Sequence, residues 1–214
     1  MKTSVKTLFA SALTAIFLST AFASVAADKN TNPSAISVGI DFNKVILTGN
    51  AKVELVQSNK PRVVIYEQYN KERTSIVQKG DKLYINSNEE QPINIVVYVK
   101  DLVRIDASQK VSVTTRGKFL SNAMQVFVKD HAKAFVNGDI SSLYTVIDDY
   151  AVLRLKGSSK DHTLAKGRVA RLKMDQFVAL KTTNTSLDDA ILTGYSIVIP
   201  KDTVIADVAE TLMK

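Results

Sequence analysis

The chain has 214 residues, a formal net charge of +7, 45% hydrophobic and 7% aromatic residues, and neither cysteine nor tryptophan. That length suits one domain with a substantial core, and the missing cysteine excludes disulfides, thiolate metal sites, a cysteine nucleophile and a lipid on an amino-terminal cysteine. Stability must therefore come from packing and from backbone ladders.

Lys2 and Lys6 precede an apolar stretch over residues 8–22, and Ala21-Phe22-Ala23 and Ser24-Val25-Ala26 both place small residues where a signal peptidase reads. This is the pattern of a cleaved secretory signal peptide, assigned to residues 1–26. Its apolar core is shorter than the roughly 20 residues a spanning helix needs. Cleavage after Ala26 removes both lysines. The later apolar runs, residues 95–99 and 195–199, are strand-sized, so no transmembrane segment is expected after signal cleavage. The expected location is the periplasm, or the secreted or cell-surface fraction, of a bacterium.

Residues 27–37 are polar and read as a flexible linker, and from Val38 the pattern turns to period two. VILTG (45–49), KVELVQ (52–57), RVVIYEQY (62–69), TSIVQ (74–78), KLYINS (82–87) and INIVVYV (93–99) are short, rich in Val, Ile and Tyr, and bounded by turn residues. These read as strands, with Lys79-Gly80-Asp81 as a tight hairpin between two of them. No stretch between residues 38 and 199 sustains a helical period over three turns, so the expectation is one all-β domain over 38–199.

From Leu102 a similar phrase recurs: LVRIDASQKVSV, MQVFVKDHAKAFV, LYTVIDDYAVLRL and TLAKGRVARLKM, starting at Leu102, Met124, Leu143 and Thr163. Each is an alternating run, a polar break and a second alternating run. Repeats at this spacing suggest a solenoid, whose rungs must stack to bury their apolar faces. Alternation puts Ala151, Leu153 and Leu155 on one face and Val152, Arg154 and Lys156 on the other; Ala170, Leu172 and Met174 likewise oppose Arg171 and Lys173. Parallel stacking at about 4.8 Å would bring Arg154 and Lys156 close to Arg171 and Lys173. With Arg168 these five form a candidate basic strip, flanked by Lys166 and Lys181, that would attract an anionic envelope glycan or a protein partner. Outward lysines also serve ordinary solubility. In the tail, residues 200–214, Asp202-Thr203 would cap a short helix through Ala206, Val208, Ala209 and Leu212, or the segment would close the stack as a strand.

Catalytic and metal chemistry find little footing. His131 and His162 are the only histidines; even joined by Asp130 and Asp161 they make a poor zinc set, and turn positions at the surface are the simpler reading. Asp148-Asp149 and Asp188-Asp189 suggest turns rather than calcium ligands, since no EF-hand spacing or glycine-rich nonapeptide repeat occurs. There is no Gly-x-Ser-x-Gly elbow and no phosphate-cradling glycine loop. No cofactor and no metal are expected, and nucleic acid is a poor partner for an exported chain with sparse aromatics.

The order FNKVILTGNAKVELVQS, RVVIYEQYN, KGDKLYINS, INIVVYVKDLVRIDASQKVSV and the rungs after it resembles the putative auto-transporter adhesin head domain, the head GIN domain family, over residues 40–186. The resemblance implies a right-handed parallel β-helix preceded by a strand-rich section, exported to the periplasm or surface, and it transfers no catalytic residue. The family favours Ser-Gly or Gly-Ser at the breaks. Here they read Ala107-Ser108-Gln109, Asp130-His131, Asp148-Asp149 and Lys166-Gly167, where Asp can take the left-handed turn in place of glycine. The expected function is a non-enzymatic, adhesin-like binding or structural module. The alternative is a glycan-active enzyme, a polysaccharide lyase or hydrolase on the same scaffold, which would need Asp148 or Asp149 beside Arg168 or Arg171 in a groove.

Overall fold

The structure, a computed structural model, describes residues 34–36 and 42–188. The tail over 200–214 and most of the amino-terminal segment before Val38 lie outside the described residues; within the stretch read as linker, Ser34–Ile36 form a strand. Among the described residues one sheet holds thirteen strands. They are β1 (Ser34–Ile36), β2 (Lys44–Gly49), β3 (Ala51–Gln57), β4 (Arg62–Ile65), β5 (Thr74–Lys79), β6 (Lys82–Ser87), β7 (Ile93–Val99), β8 (Arg104–Ala107), β9 (Ser112–Arg116), β10 (Phe119–Val128), β11 (Lys133–Ile147), β12 (Val152–Lys166) and β13 (Arg171–Thr185). The fold is all-β, as the alternation requires. One run is shorter than expected: β4 stops at Ile65, and residues 66–69 leave the ladder. Between β5 and β6 the expected hairpin is present, with Gly80 at φ 58° and Lys79 opposite Lys82.

Parallel pairing at a nearly constant offset organises everything after Leu102. Met124 lies opposite Leu143, and Leu143 opposite His162, two equal steps along the chain. Arg104 opposite Gln125 and Ser112 opposite Lys133 are slightly longer steps, equal to one another. Between β12 and β13 the offset lengthens by one, from Val152 opposite Arg171 to Lys156 opposite Gln176, across a register shift between Arg154 and Lys156. The step from Met124 to Leu143 is the one the repeat predicts. Thr163 is one position late: it pairs with Tyr144, because similar side chains flank each break and the turn absorbs a residue that alternation alone cannot place.

The opening strands belong to the same stack. β2 pairs in parallel with β8 and β6, and β3 with β9 and β7, so the β2–β3 layer sits between β6–β7 and β8–β9. Lys44 and Arg104, far apart in the chain, are neighbours across β2 and β8. Antiparallel β5 covers the outer edge of β6, and β4, itself joined by β1, covers that of β7. This satisfies the ladder of that end without another parallel rung.

Registered columns of inward side chains fill the interior. Ile95, Val53, Val113, Ala134 and Leu153 stack across five strands and are all buried, as are Leu83, Val45, Ile105, Val126 and Thr145. The alanines expected inside, Ala132, Ala134, Ala151 and Ala170, are buried. A second column forms the turn. Gly49, Gln109, Asp130 and Asp149 occupy equivalent places with φ of 89°, 60°, 58° and 53°. The Asp130 carboxylate accepts the Gln109 N–H at 2.7 Å and Asp149 accepts that of Asp130 at 3.2 Å. Aspartate thus replaces glycine here by bonding the turn of the rung before it.

His162 departs from expectation. It is not at a surface turn but inside β12, 1% exposed, with Nε2 2.9 Å from the Thr145 hydroxyl and its ring edge-on to Phe177. Its position opposite Leu143 makes it an inward residue. Nδ1 has no hydrogen-bond partner among the described residues, and burial pushes the imidazole pKa below its ordinary value. The unfolded chain therefore binds this proton more readily than the folded one, and stability must fall as pH drops below the ordinary histidine range. Thermal midpoints should decline between about pH 7 and pH 5, and His162→Asn should flatten that decline. Asp81 and Asp139, lowered by hydrogen bonds from Lys44 and Lys118, lose their stabilisation only at more acidic pH. An unchanged slope in the variant would remove His162 as its cause.

Candidate functional site

Outward residues also stack in register. On the face formed by β3, β9, β11, β12 and β13, one column reads Lys52, Ser112, Lys133, Val152, Arg171 and the next reads Glu54, Thr114, Phe135, Arg154, Lys173. Arg154 therefore lies opposite Lys173, and Arg171 sits on the same side of β13 as Lys173, as alternation predicts. Lys156 meets Gln176 instead of a cation, because the bulge shifts β13 by one. Arg168 lies in the turn between β12 and β13, outside the strand columns. All five are exposed, and none makes an ion pair or side-chain hydrogen bond among the described residues. Glu54 is held by Arg116, so the carboxylate in the second column is already neutralised.

Beside the first column an open groove of about 580 Å³ is lined by Asn50, Lys52, Pro92, Lys110, Ser112, His131, Lys133, Tyr150, Val152 and Arg171. Among the described residues its lining carries four cations and no carboxylate. Lys52, Lys110, Lys133 and Arg171 have no ion-pair partner among the described residues. Its second wall is the column one residue past those turn positions: Asn50, Lys110, His131 and Tyr150 follow one another by the same register that aligns Lys52, Ser112, Lys133 and Val152. His131 and Tyr150 stack, centroids 5.3 Å apart and planes 16° from parallel, and Tyr150 is 62% exposed.

Of the groove's cations the sequence strip contains only Arg171. Lys52 escapes a reading of the sequence because the pairing that joins its layer to β9 leaves no periodic trace, and Lys110 and Lys133, though inside the repeated phrases, flank their polar breaks rather than the runs used to place the strip. Outward alternation in KVELVQ and in KAFV is the available signal. For the acidic pair of the enzyme reading, the turn register sets Asp149 opposite Arg168 and Asp148 opposite Gly167, outside the groove. Asp149 is engaged with the Asp130 amide, Asp148 packs at Gly167, and neither lines the groove. Among the described residues no three His, Asp or Glu side chains converge as metal ligands.

Three solved structures are similar to this chain in fold. A putative adhesin from Bacteroides fragilis superposes with a TM-score of 0.62 at 14% identity, covering 72% of this chain and 75% of that one. A putative lipid binding protein from Parabacteroides distasonis gives 0.55 at 16% identity, with 73% and 79% covered. A putative adhesin from the same organism gives 0.55 at 14% identity, with 72% and 77% covered. At these identities the likeness is one of fold. No curated protein matches the chain. Residues 41–186 match the sequence family described as putative auto-transporter adhesin, head GIN domain, and the chain belongs to that family.

Proposed function

We propose that this chain is a non-enzymatic, adhesin-like binding module of the bacterial envelope, built as a right-handed parallel β-helix and exported by its amino-terminal signal, whose basic outer face takes an anionic ligand. The nearly constant offset between parallel strands supports the coil, and right-handed is the hand that crossovers between parallel strands take. The observation that carries the function is the set of exposed cations without counter-charges among the described residues, aligned by register on one face. Fixed, unneutralised charge on a rigid sheet attracts polyanions and needs no conformational change to do so.

A lyase or hydrolase needs a carboxylate and a second acid–base group converging on one bond. The groove offers cations and aromatics instead. The test is binding of the purified protein to envelope polysaccharides, lipopolysaccharide and peptidoglycan fragments at two salt concentrations, with the products analysed afterwards. Binding that weakens with salt, and falls by at least about tenfold when Arg154, Arg171 and Lys173 are changed to Ser, is the expected result. New reducing or unsaturated ends would overturn the reading in favour of an enzyme.

A further inference from the structure

We infer that the groove between the Asn50, Lys110, His131 and Tyr150 column and the first strand column is a binding site for an acidic polysaccharide carrying one anionic group per disaccharide, lying across the strands along the stacking direction. This rests on the binding-module reading and specifies its ligand. Three observations carry it.

The first is spacing. Lys52, Lys133 and Arg171 occupy every second position of one registered column, with Ser112 and Val152 between them. Strands lie about 4.8 Å apart, so the cations recur at about 10 Å along the stack. That is the length of an extended disaccharide, whereas a chain charged on every sugar would set alternate anions along this column against Ser112 and Val152, with only Lys110, on the opposite wall in the Ser112 layer, to meet the first.

The second is the opposite wall, where Tyr150 and His131 are stacked and Tyr150 is largely exposed. An exposed, oriented aromatic face offers sugar C–H groups a packing surface that a simple polyanion cannot use. The third is the absence of competition. No carboxylate lines the groove, the nearby Asp130 and Asp149 carboxylates accept backbone N–H groups of the turn ladder, and the four groove cations have no ion-pair partner among the described residues.

Calorimetric titration of the intact protein with hyaluronan oligosaccharides (a carboxylate on alternate sugars), oligogalacturonate of equal sugar number (a carboxylate on every sugar) and linear polyphosphate tests the inference. Hyaluronan should bind at least as tightly as oligogalacturonate despite carrying half the charge. Tyr150→Ala should weaken hyaluronan binding on the order of tenfold and leave polyphosphate unchanged, which also shows that the variant is folded. Lys133→Ser, at the centre of the column, should weaken both, while Lys79→Ser, exposed on β5 at the far end of the strand order, should weaken neither. Affinity that instead rises with charge density, or is indifferent to Tyr150, would overturn the disaccharide site and leave the basic face as a general anion binder. Failure of all three probes and of lipopolysaccharide to bind would overturn both readings.

Discussion

Gly157→Ala is expected to lower the unfolding free energy by about 2–4 kcal/mol, among the largest effects of any single methyl group in this protein. Gly157 sits within the long strand β12, at φ 104°, where L side chains are strained. A Cβ there would lie 2.1 Å from the Gly138 carbonyl oxygen and 2.8 Å from its carbon. Neither atom can yield, because Gly138 is locked in β11 directly opposite Gly157. The strands keep their ladder at this close approach only because Gly138 and Gly157 have no side chain. Gly138→Ala should cost less: its Cβ would be 2.8 Å from the Phe119 carbonyl oxygen, but without a left-handed φ. Gly80→Asn, in an open turn with nothing within 4 Å, should be close to neutral. Urea denaturation ranks the three. If Gly157→Ala unfolds within about 0.5 kcal/mol of the parent, the close approach of β11 and β12 at this point is wrong. Should it fail to fold at all, the intermediate loss in Gly138→Ala still reports on the same contact.

How far such contacts can be foreseen depends on the distance in sequence over which they form. Alternation in KLYINS defines β6 to the residue, because one buried face and one wet face leave a period-two record, and β-branched content does the same for INIVVYV, where the outward Val96 of β7 is buried as well. The step from Met124 to Leu143 is legible for the same reason, since consecutive rungs repeat their inward residues. The repeat fails by one at Thr163, and His162, which fills the inward place opposite Leu143, reads as a turn residue although it is buried. A polar side chain at an inward position erases the pattern that would reveal it. The neighbours of Lys44 and Lys52 cannot be read at all: β2 and β3 lie beside β8 and β9, and nothing local encodes which distant strand fits an exposed edge. The basic strip is therefore half legible. Arg154 and Lys173 face one another across adjacent rungs, whereas the groove needs Lys52 and Lys110 from the layers before them.

Those long-range layers make Leu55→Ala the second large effect, an expected loss of about 3 kcal/mol. Leu55 is fully buried in β3, with Val97 of β7 opposite it on one side and Thr115 of β9 on the other. Removing its side chain opens a cavity between two rung interfaces at once, and stacked strands whose backbones are fixed by ladders on both sides have little room to collapse into it. Leu180→Ala provides the contrast: Leu180 in β13 is 84% exposed and should change stability by no more than about 0.5 kcal/mol. The denaturation slope carries further information. In a stack whose stability is a sum of rung and interface terms, weakening a central interface can uncouple the two ends. A shifted midpoint with an unchanged slope would mean that β6–β7, β2–β3 and the later rungs unfold together, so that the return of β8 to the edge of β2 ties the stack into one cooperative unit. A reduced slope would mean that the rungs after β9 survive the loss of the opening layers, and that the groove, which draws cations from both parts, can lose Lys52 while Lys133 and Arg171 remain in place.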